Sequence, residues 1–305
     1  MHVTGIGQCC WDYLGVVDAY PEADSKVEMQ DWQEQGGGPV ATALVALARL
    51  GVSCRFFGIV GDDDQGKMIR QSFVDEDVDV NGLITRIQAS SQLAFIAVER
   101  ESGRRTIFWK RPSGEPLRPD ELSGHFLDGA DFLLLDGLMG EVSLYAAQEA
   151  RARRIPVMVD AGRIRPGMLE LARNCDYVVA SGQFARDISP CWETTLQDFM
   201  KQLESLGLSM VTVTLGERGS ITFNHGEIIR IPAIPVKAVD TTGAGDVFHG
   251  GYIYGLMQGW DICETVRFAS AMAALKCTRI GGRAGIPDLL ETRQFLTGQS
   301  SPLPD

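Results

Sequence analysis

The sequence lacks the paired cysteines and histidines of a zinc site. It contains no Cys-x-x-Cys and no His-x-x-x-His, and its seven cysteines are scattered except for the neighbours Cys9 and Cys10. Structural zinc sites are built from such pairs. Scattered cysteines, odd in number, are typical of reduced thiols that pack as small core residues. We therefore expect no zinc and a cytoplasmic location.

Long apolar runs and an excess of positive charge are also missing. No stretch approaches the roughly 20 apolar residues of a membrane span, and the start, MHVTGIGQCC, has no basic segment followed by an apolar one, so we expect no secretory signal. The formal net charge of −12 argues against nucleic acid or an anionic membrane as a partner. An anionic substrate would need a local cluster of cations.

The order of apolar and amphipathic segments predicts an α/β fold. From Ala130 onward, apolar segments such as DFLLLDG, IPVMVDAG and SMVTVTLG alternate with amphipathic ones such as TTLQDFMKQLESLG. This alternation is typical of a mostly parallel sheet with helices on both faces. The first third carries separate strand signals, including QLAFIAVERESGRRTIFWK with its turn at Ser102-Gly103. In parallel sheets, ligands bind beyond the carboxyl ends of the strands.

Two glycine-containing segments match nucleotide-binding motifs only in part. GDDDQGKM, residues 61–68, has Met68 where the phosphate loop requires a hydroxyl, and its aspartates would repel a polyphosphate. GIGQCC lacks the third glycine of the dinucleotide fingerprint. We reject both motifs and expect the first segment to cap a helix.

The segment VDTTGAGDVFHG, residues 239–250, carries the strongest chemical signal. Gly243, Ala244 and Gly245 can bring successive backbone amides to one point at a helix N-terminus, which forms an anion site for a phosphoryl group. Asp246 follows in the first helical turn. A carboxylate there would repel a bound phosphate, but it is well placed to take the proton of a hydroxyl that attacks the phosphorus. The alternative is a glycine-rich helix start in which Asp246 only favours the helix dipole.

Four segments of the sequence resemble a known family. DTTGAGDVFHGG closely resembles the C-terminal signature of the ribokinase-like (PfkB-type) carbohydrate kinases, and GGGPVATALVALARLG, residues 36–51, resembles their N-terminal glycine signature. GQCCWD matches the family's G-x-x-x-x-D, and VTLGERG matches its nucleotide-side T-L-G-x-x-G. The similarity extends along the whole chain.

The resemblance implies a fold and an activity. It implies one ribokinase-like domain over residues 1–305, with a three-layer α/β/α arrangement, a mostly parallel sheet, and a small β-sheet lid inserted from about 11–35 and 91–112. It implies ATP-dependent phosphorylation of a sugar-like alcohol with Mg²⁺ present, and a homodimer that pairs through the lid. Asp246 would be the base, beside an anion hole made by Gly243, Ala244 and Gly245. The sugar would contact Asp12 and the backbone of Gly36, Gly37 and Gly38, and the nucleotide would contact Thr214, Gly216, Gly219 and Gly281.

The chain departs from the family pattern at two motifs. Ala41 stands where many relatives have a sugar-binding asparagine, and SGQF, residues 181–184, replaces the N-x-x-E motif linked to magnesium and phosphate. We therefore name no protein ligands for Mg²⁺. Family members often bind a monovalent cation such as K⁺ beside the anion hole. The matching positions are Asp240 and Thr242, with backbone carbonyls near Lys276, Arg279, Gly281 and Gly285.

The C-terminal run VRFASAMAALKCTRIGGRAGIPD most resembles the branch that includes sulfofructose kinases. Sulfonate or phosphate recognition requires paired cationic donors. The candidate cations are Lys26, Arg105, Lys110, Arg111, Arg163 and Arg165. Any one of them also has the ordinary alternative of a solvated surface residue. Leu138 stands where that branch would have an arginine, which argues against a sulfosugar.

Two alternatives to a sugar kinase follow from these residues. One is a nucleoside kinase of the same fold, which would need an aromatic-lined acceptor pocket and no cation cluster. The other is a sugar sensor without catalysis, suggested by the missing N-x-x-E motif. We expect His249 to be a packed, hydrogen-bonded residue, and Trp11 and Trp109 either to flank the sugar or to pack in the lid.

Overall fold

The computed structural model describes residues 1–298, and the last seven residues of the expected domain, 299–305, lie outside the described residues. The strands are β1 His2–Ile6, β2 Cys10–Val17, β3 Asp31–Gly37, β4 Ser53–Gly61, β5 Val78–Arg86, β6 Leu93–Glu99, β7 Arg105–Lys110, β8 Phe132–Leu135, β9 Val157–Ala161, β10 Tyr177–Ser181, β11 Met210–Thr214, β12 Ser220–Asn224 and β13 Glu227–Ile231. The helices are α1 Pro39–Arg49, α2 Asp64–Val74, α3 Gly140–Ala152, α4 Met168–Arg173, α5 Gly182–Ile188, α6 Leu196–Ser205, α7 Ala244–Met257, α8 Ile262–Lys276 and α9 Leu289–Gly298.

Nine strands form the large sheet in the order β13-β12-β11-β10-β9-β8-β1-β4-β5. The strands from β5 to β11 in this order run parallel, and β12 and β13 are antiparallel additions at one edge. The parallel strands therefore point their carboxyl ends to the same edge of the sheet.

Two hydrophobic cores cover the faces of the large sheet. In β8, the residues FLLL are all buried, with Phe132 and Leu134 in one core and Leu133 and Leu135 in the other. The first core contains side chains of α1, α7 and α8, and the second contains side chains of α3 and α6. Burial on both sides explains why this strand is a continuous apolar run rather than an alternating one. The result is the three-layer arrangement that the sequence predicts.

Four strands form a separate small sheet in the order β3-β2-β6-β7. Strand β2 pairs antiparallel with β3 and parallel with β6, and β6 and β7 form an antiparallel hairpin. Leu14, Val16, Ala94, Ile96 and Val98 pack on one face of this sheet, against Ile280. We call the small sheet the lid, and this face, which also carries Asp12, its inner face.

Local signals set several element boundaries. Asp63 caps α2 by accepting a hydrogen bond from the Gly66 amide at 2.9 Å, so GDDDQGKM begins a helix, as expected. All seven cysteines are free thiols, and the cytoplasmic location inferred from them stays a prediction. Within residues 1–298, no helix combines the length and apolar character needed to cross a bilayer.

Candidate active site

Polar side chains follow the large sheet's strands at their carboxyl ends. Gln8 follows β1, Asp136 follows β8, Asp160 lies near the end of β9, and Thr214 ends β11. The parallel arrangement brings these positions to one edge of the sheet. The lid's inner face and the start of α7 complete the site.

The start of α7 exposes unpaired backbone amides. Gly243 precedes the helix with φ 74°, and a Cβ atom there would fall 2.8 Å from the Gly282 carbonyl oxygen, so only glycine fits. The Ala244 amide donates to the Thr241 carbonyl at 3.3 Å. Within residues 1–298, the amides of Gly243, Gly245 and Asp246 donate to no acceptor. No side chain caps this helix start, which leaves the amides available to an anion.

The His249 side chain contacts the backbone at the start of α7. Its Nδ1 lies 2.5 Å from the Gly245 carbonyl oxygen, and its Nε2 lies 3.3 Å from the Val179 carbonyl oxygen and 3.7 Å from Asp160 Oδ1. The Gly245 carbonyl belongs to the same peptide unit as the Asp246 amide, so a ring N–H that binds the carbonyl also orients that amide. His249 is buried and hydrogen-bonded, as its sequence context predicts.

Asp246 is half-buried in the first turn of α7. Burial raises its pKa well above the ordinary range, and the carboxylates of Asp160 and Asp12 add to the rise, whereas Arg105 and Lys276 oppose it. A carboxylate whose pKa is raised accepts a proton more readily, which suits a general base.

A cavity of about 660 Å³ lies beside the start of α7. We call residues 243–246 the anion-binding turn, after the role expected of their amides. Ala244 and Gly245 form part of the cavity wall, and the Arg105 side chain reaches the cavity from the lid. The predicted nucleotide residues Thr214, Gly216 and Gly219 also line it. The remaining lining residues are Glu217, Ala233, Ile234, Pro235, Val236, Ala238, Thr241, Phe248, Ser270, Ala273, Ala274 and Cys277. A largely apolar cleft that ends at free amides has the character of a nucleotide site.

Gly281 does not line this cavity. Its amide donates to Asp240 Oδ2 at 2.8 Å, and its backbone has φ 95°. The glycine therefore shapes the loop around Asp240 rather than the nucleotide cleft.

Asp12 is buried on the inner face of the lid, with Oδ2 against Gly37. A Cβ atom at Gly37 would fall 2.0 Å from Asp12 Oδ2, which explains why the strand needs glycine there. The Cys10 thiol donates to Asp12 Oδ1 at 2.9 Å. Burial raises the pKa of Asp12, while the Cys10 hydrogen bond and Arg283 lower it.

Arg283 is a buried cation with unused donors. Its Nη1 donates to Ser72 Oγ at 3.1 Å, whereas Nε and Nη2 have no partner in the described chain, and the side chain is almost fully buried. Arg49 Nη1 donates to the Arg283 backbone carbonyl at 3.0 Å and so fixes the backbone of Arg283. A Cβ atom at Gly36 would fall 2.5 Å from Arg283 Nη1. Buried donors without partners are costly, and the guanidinium also lies over the Phe73 ring, 5.1 Å from its centroid.

A smaller cavity of about 170 Å³ lies between the lid and the large sheet. Arg111 and Gln92 reach it from the lid side, and Gln8 and Leu138 from the strand ends. Gln92 Oε1 is buried without a partner among the described residues. Cys9, Ile59, Pro112, Gly114, Pro116 and Met139 complete the lining.

The other predicted cations do not border this cavity. In β7, Lys110 pairs with Leu93, which pairs with Trp11, so the pleat places Lys110 and Trp11 on the lid face opposite Asp12. Arg163 Nε lies 3.9 Å from Asp187 Oδ2. Lys26 lies in an exposed loop without a described partner. Trp109, by contrast, shares the inner face with Asp12.

Two sets of residues bear on metal binding, which are the segment that replaces N-x-x-E and the positions expected to bind K⁺. Ser181 caps α5 by accepting hydrogen bonds from the amides of Gln183 and Phe184, and Phe184 is buried in the core, so the segment that replaces N-x-x-E fits no magnesium ion. Among residues 1–298, no three His, Cys, Asp or Glu side chains converge to hold a metal. Asp240, Thr242 and Lys276 do meet, but Lys276 approaches with its ammonium group. The exposed Arg279 guanidinium reaches Glu291, and Gly285 packs against the Lys276 carbonyl oxygen.

Sequence reasoning missed Arg283, Asp136 and Asp160 as parts of this site. The two aspartates carry a signal, because each stands at or after the end of a buried strand on the ligand-binding edge. Burial raises the pKa of Asp136 to about 7, although it accepts hydrogen bonds from the amides of Gln8 and Leu138 at 2.7 and 2.9 Å. Arg283 carries no local signal, since its neighbours in space come from β3 and α2.

Comparisons with known proteins agree with this geometry. The chain is 28% identical over 303 residues to a ribokinase of Haemophilus influenzae, covering 96% of this chain and 98% of that protein. It is also 28% identical over 290 residues to an ATP-dependent ribose-1-phosphate kinase of Halopiger xanaduensis, covering 93% and 94% of the two chains. The solved structure of Arabidopsis thaliana ribokinase with ribose and ATP superimposes with a TM-score of 0.83 at 23% identity, covering 96% of this chain and 98% of that one.

The predicted family and fold class are confirmed by these matches. Residues 2–289 match the family described as "pfkB family carbohydrate kinase". The large, mostly parallel sheet and the small sheet that forms the lid are those that the resemblance implies. The chain therefore belongs to the pfkB family of carbohydrate kinases, which are ATP-dependent phosphotransferases.

Proposed function

We propose that the protein transfers the γ-phosphoryl group of ATP to a hydroxyl group of a ketose or related sugar. The observation that carries the proposal is the first turn of α7, where unpaired amides and a carboxylate of raised pKa lie together. The amides lie on the side of the nucleotide-sized cavity. The carboxylate is within electrostatic reach of Asp12, the residue expected to bind the sugar.

In the proposed reaction, Asp246 takes the proton of the acceptor hydroxyl as its oxygen attacks the γ-phosphorus. The new bond joins that oxygen to phosphorus, and the bond to the bridging oxygen of ADP breaks. The amides of Gly243, Gly245 and Asp246 hold the negative charge on the transferring group. Because Ala244 already donates to Thr241, the anion hole includes the Asp246 amide in addition to the glycines of the expected set. Magnesium enters as part of the substrate MgATP.

Asp12 binds the acceptor in this proposal, and Arg283 supports it. Asp12 accepts hydrogen bonds from sugar hydroxyls, and the positive charge of Arg283, a buried cation whose Nε and Nη2 have no partner among the described residues, lowers the pKa of this carboxyl group. Gln35 Nε2 is a further buried donor without a described partner nearby.

The small cavity favours an acceptor with an anionic group at its far end. Arg111 borders the cavity and Trp109 holds its guanidinium, 5.0 Å from the ring centroid. The Halopiger relative is named for a phosphorylated sugar, so such acceptors occur in the family. Leu138 lines the same wall and stands where the sulfofructose kinase branch would have an arginine, which argues against a sulfosugar.

Magnesium-dependent ADP release with a panel of acceptors tests the proposed function. We expect turnover with hexoses or phosphohexoses and little with nucleosides, because glutamine and arginine rather than aromatic rings line the small cavity. Preference for a nucleoside would establish the nucleoside kinase instead. Sugar binding without ADP release above background would establish a sensor.

We also propose that two copies of the chain pair through their lids. The outer face of the lid carries a row of aromatic rings, which are those of Tyr13, Trp32, Phe95 and Phe108. Successive ring centroids lie 5.7, 6.1 and 6.5 Å apart. Trp32 is 42% exposed and Phe108 is 52% exposed. An apolar row of this kind on a sheet is typical of a protein interface.

A further inference from the structure

Lys276 places an ammonium group inside the loop where the resemblance implies a monovalent metal cation. We propose that this ammonium replaces the metal, so that the kinase needs no K⁺. The proposal rests on the phosphotransfer function proposed above. In this proposal the Lys276 side chain supplies the positive charge that a K⁺ ion from solution would otherwise supply.

The ammonium group is fully enclosed. Lys276 and Asp240 both have side chains that are 0% exposed. Lys276 Nζ donates to the Asp240 backbone carbonyl at 2.7 Å and lies 3.9 Å from Asp240 Oδ2. The lysine is the last residue of α8, where the helix dipole favours a positive charge.

The remaining capacity of Asp240 is largely used by neighbouring donors. Oδ1 accepts hydrogen bonds from the Thr242 amide at 2.8 Å and the Thr242 hydroxyl at 2.7 Å. Oδ2 accepts from the Gly281 amide at 2.8 Å. A bare cation in a protein needs several oxygens to replace its hydration shell. The Asp240 carboxylate therefore has few free lone pairs with which to bind a metal cation.

The other expected ligands do not fit a metal beside the ammonium. Gly285 packs against the Lys276 carbonyl oxygen, since a Cβ atom at Gly285 would fall 2.5 Å from it, and protein atoms therefore enclose that oxygen on this side. The Lys276 carbonyl already accepts from the Arg279 amide at 3.3 Å. A metal cation bound to Asp240 would also lie against an enclosed positive charge and be repelled by it.

The ammonium is placed to act on the reaction. Asp240 and Thr242 belong to the loop that leads into Gly243 and the free amides of α7. The positive charge of Lys276 lowers the pKa of Asp246 against the effect of burial. Lys276 is therefore a positioning residue that stabilises the anion-binding turn and the ionised base without touching substrate.

Two substitutions of Lys276 distinguish the effect of losing the charge from the effect of losing the side-chain volume. Lys276→Ala removes the charge and opens a space, whereas Lys276→Met removes the charge and keeps the space filled. Arg267→Ala is the matched control, because it removes a positive charge from an exposed position on the same helix. Each protein is studied in potassium, rubidium or tetramethylammonium chloride at one ionic strength and pH 7. The measurements are Tm, MgATP affinity by calorimetry, and ADP release.

The wild type and Arg267→Ala are expected to give the same Tm, MgATP affinity and turnover in all three salts. Lys276→Ala is expected to lose turnover on the order of 100-fold in tetramethylammonium, and potassium or rubidium should restore part of it and raise Tm selectively. Lys276→Met should show the loss without the rescue. A wild type that potassium activates or selectively stabilises, or rubidium found beside Asp240 in wild-type crystals, would overturn the proposal.

If Lys276→Ala fails to fold, the wild-type salt series and Lys276→Met still decide the question. The Tm and MgATP measurements need no acceptor. They therefore test the cation proposal even if no sugar in the panel is phosphorylated, which is the outcome that would count against the proposed function.

Discussion

The Arg105 guanidinium donates a 2.7 Å hydrogen bond to the Thr241 hydroxyl and thereby joins the lid to the anion-binding turn. The Gly103 carbonyl accepts from the same threonine, at 3.3 Å from the hydroxyl and 3.4 Å from the amide. These contacts set the β6–β7 hairpin over the cavity that borders Gly245. The lid thus already reaches the large sheet, and Arg105 brings a cation to the cavity where we propose that the phosphoryl group is transferred.

We predict that Arg105→Met lowers kcat by about 10²-fold, because a guanidinium near the transferring phosphoryl group stabilises its charge. Arg105 also lowers the pKa of Asp246, so its removal raises that pKa further. The acid limb of the kcat/KM profile should therefore move to higher pH. Arg104→Met, at the neighbouring exposed position, is the control. Equal losses in both variants would show that Arg105 acts only through the general charge of the hairpin.

We predict that Asp246→Asn lowers kcat by roughly 10²- to 10⁴-fold while MgATP still binds, since the amide cannot take the acceptor proton. The measurement is ADP release together with calorimetric MgATP affinity. Asp198→Asn, on an exposed position of α6, should behave as wild type. Near-normal turnover of Asp246→Asn would remove this residue from the mechanism.

We predict that turnover of the wild type rises with pH, because Asp246 must be ionised to act as the base. A base must be ionised to accept a proton, and burial raises the pKa of Asp246. Turnover should therefore rise with pH through a value above the usual range of aspartate. This limb should disappear in Asp246→Asn.

We predict that Arg111→Gln weakens binding of a phosphohexose by about 10- to 100-fold and changes binding of the matching neutral hexose little, because the guanidinium pairs only with the anion. Lys110→Gln is the matched control, since the pleat places Lys110 on the other face of the lid. KM values for the two acceptors make the comparison. Similar losses for both acceptors would show that Arg111 does not bind an anionic group.

We predict that Asp136 makes the protein less stable as pH rises from about 4 to about 7. Burial raises its folded-state pKa to about 7, so the folded state holds a proton that the unfolded chain releases. Stability falls with pH wherever the folded state binds more protons, and it levels off above the folded pKa. Tm measured across this range should fall less steeply for Asp136→Asn, which does not titrate there. Parallel curves would contradict the raised pKa.

We predict that Phe108→Asp converts a dimer into monomers, because a carboxylate in the aromatic row would be buried without a partner. Light scattering coupled to size exclusion gives the mass. Leu290→Asp, at a position that is 64% exposed on α9, is the control and should keep the wild-type mass. A wild type that is monomeric at high concentration would contradict the proposed interface.

The geometry of the proposed reaction centre could be predicted at the start of α7, because the residues there are neighbours in the chain. Gly243 is the N-cap of α7 and Asp246 lies in its first turn, and helix geometry alone places a carboxylate beside free amides. In the same way, a buried apolar run such as that of β8 identifies a strand of a parallel sheet without reference to the rest of the chain.

The acceptor residues could not be assigned in this way. Lys110 and Arg111 are adjacent in sequence, but only the phase of the β7 pleat decides which one faces the cavity. Arg283 looks like an ordinary surface arginine in the sequence. Its burial beside Gln35 depends on a contact between residues 248 positions apart.

The sequence by itself determined the alternation that builds the large sheet and the glycine-rich start of α7 with its carboxylate, because these depend on short-range periodicity and local backbone geometry. The tertiary structure decided which charged groups lie beside that turn. The same Lys276 whose carbonyl was expected to bind a cation instead presents its own ammonium to Asp240. The direction of a side chain and the groups that it meets depend on the packing of distant segments, which no local pattern records.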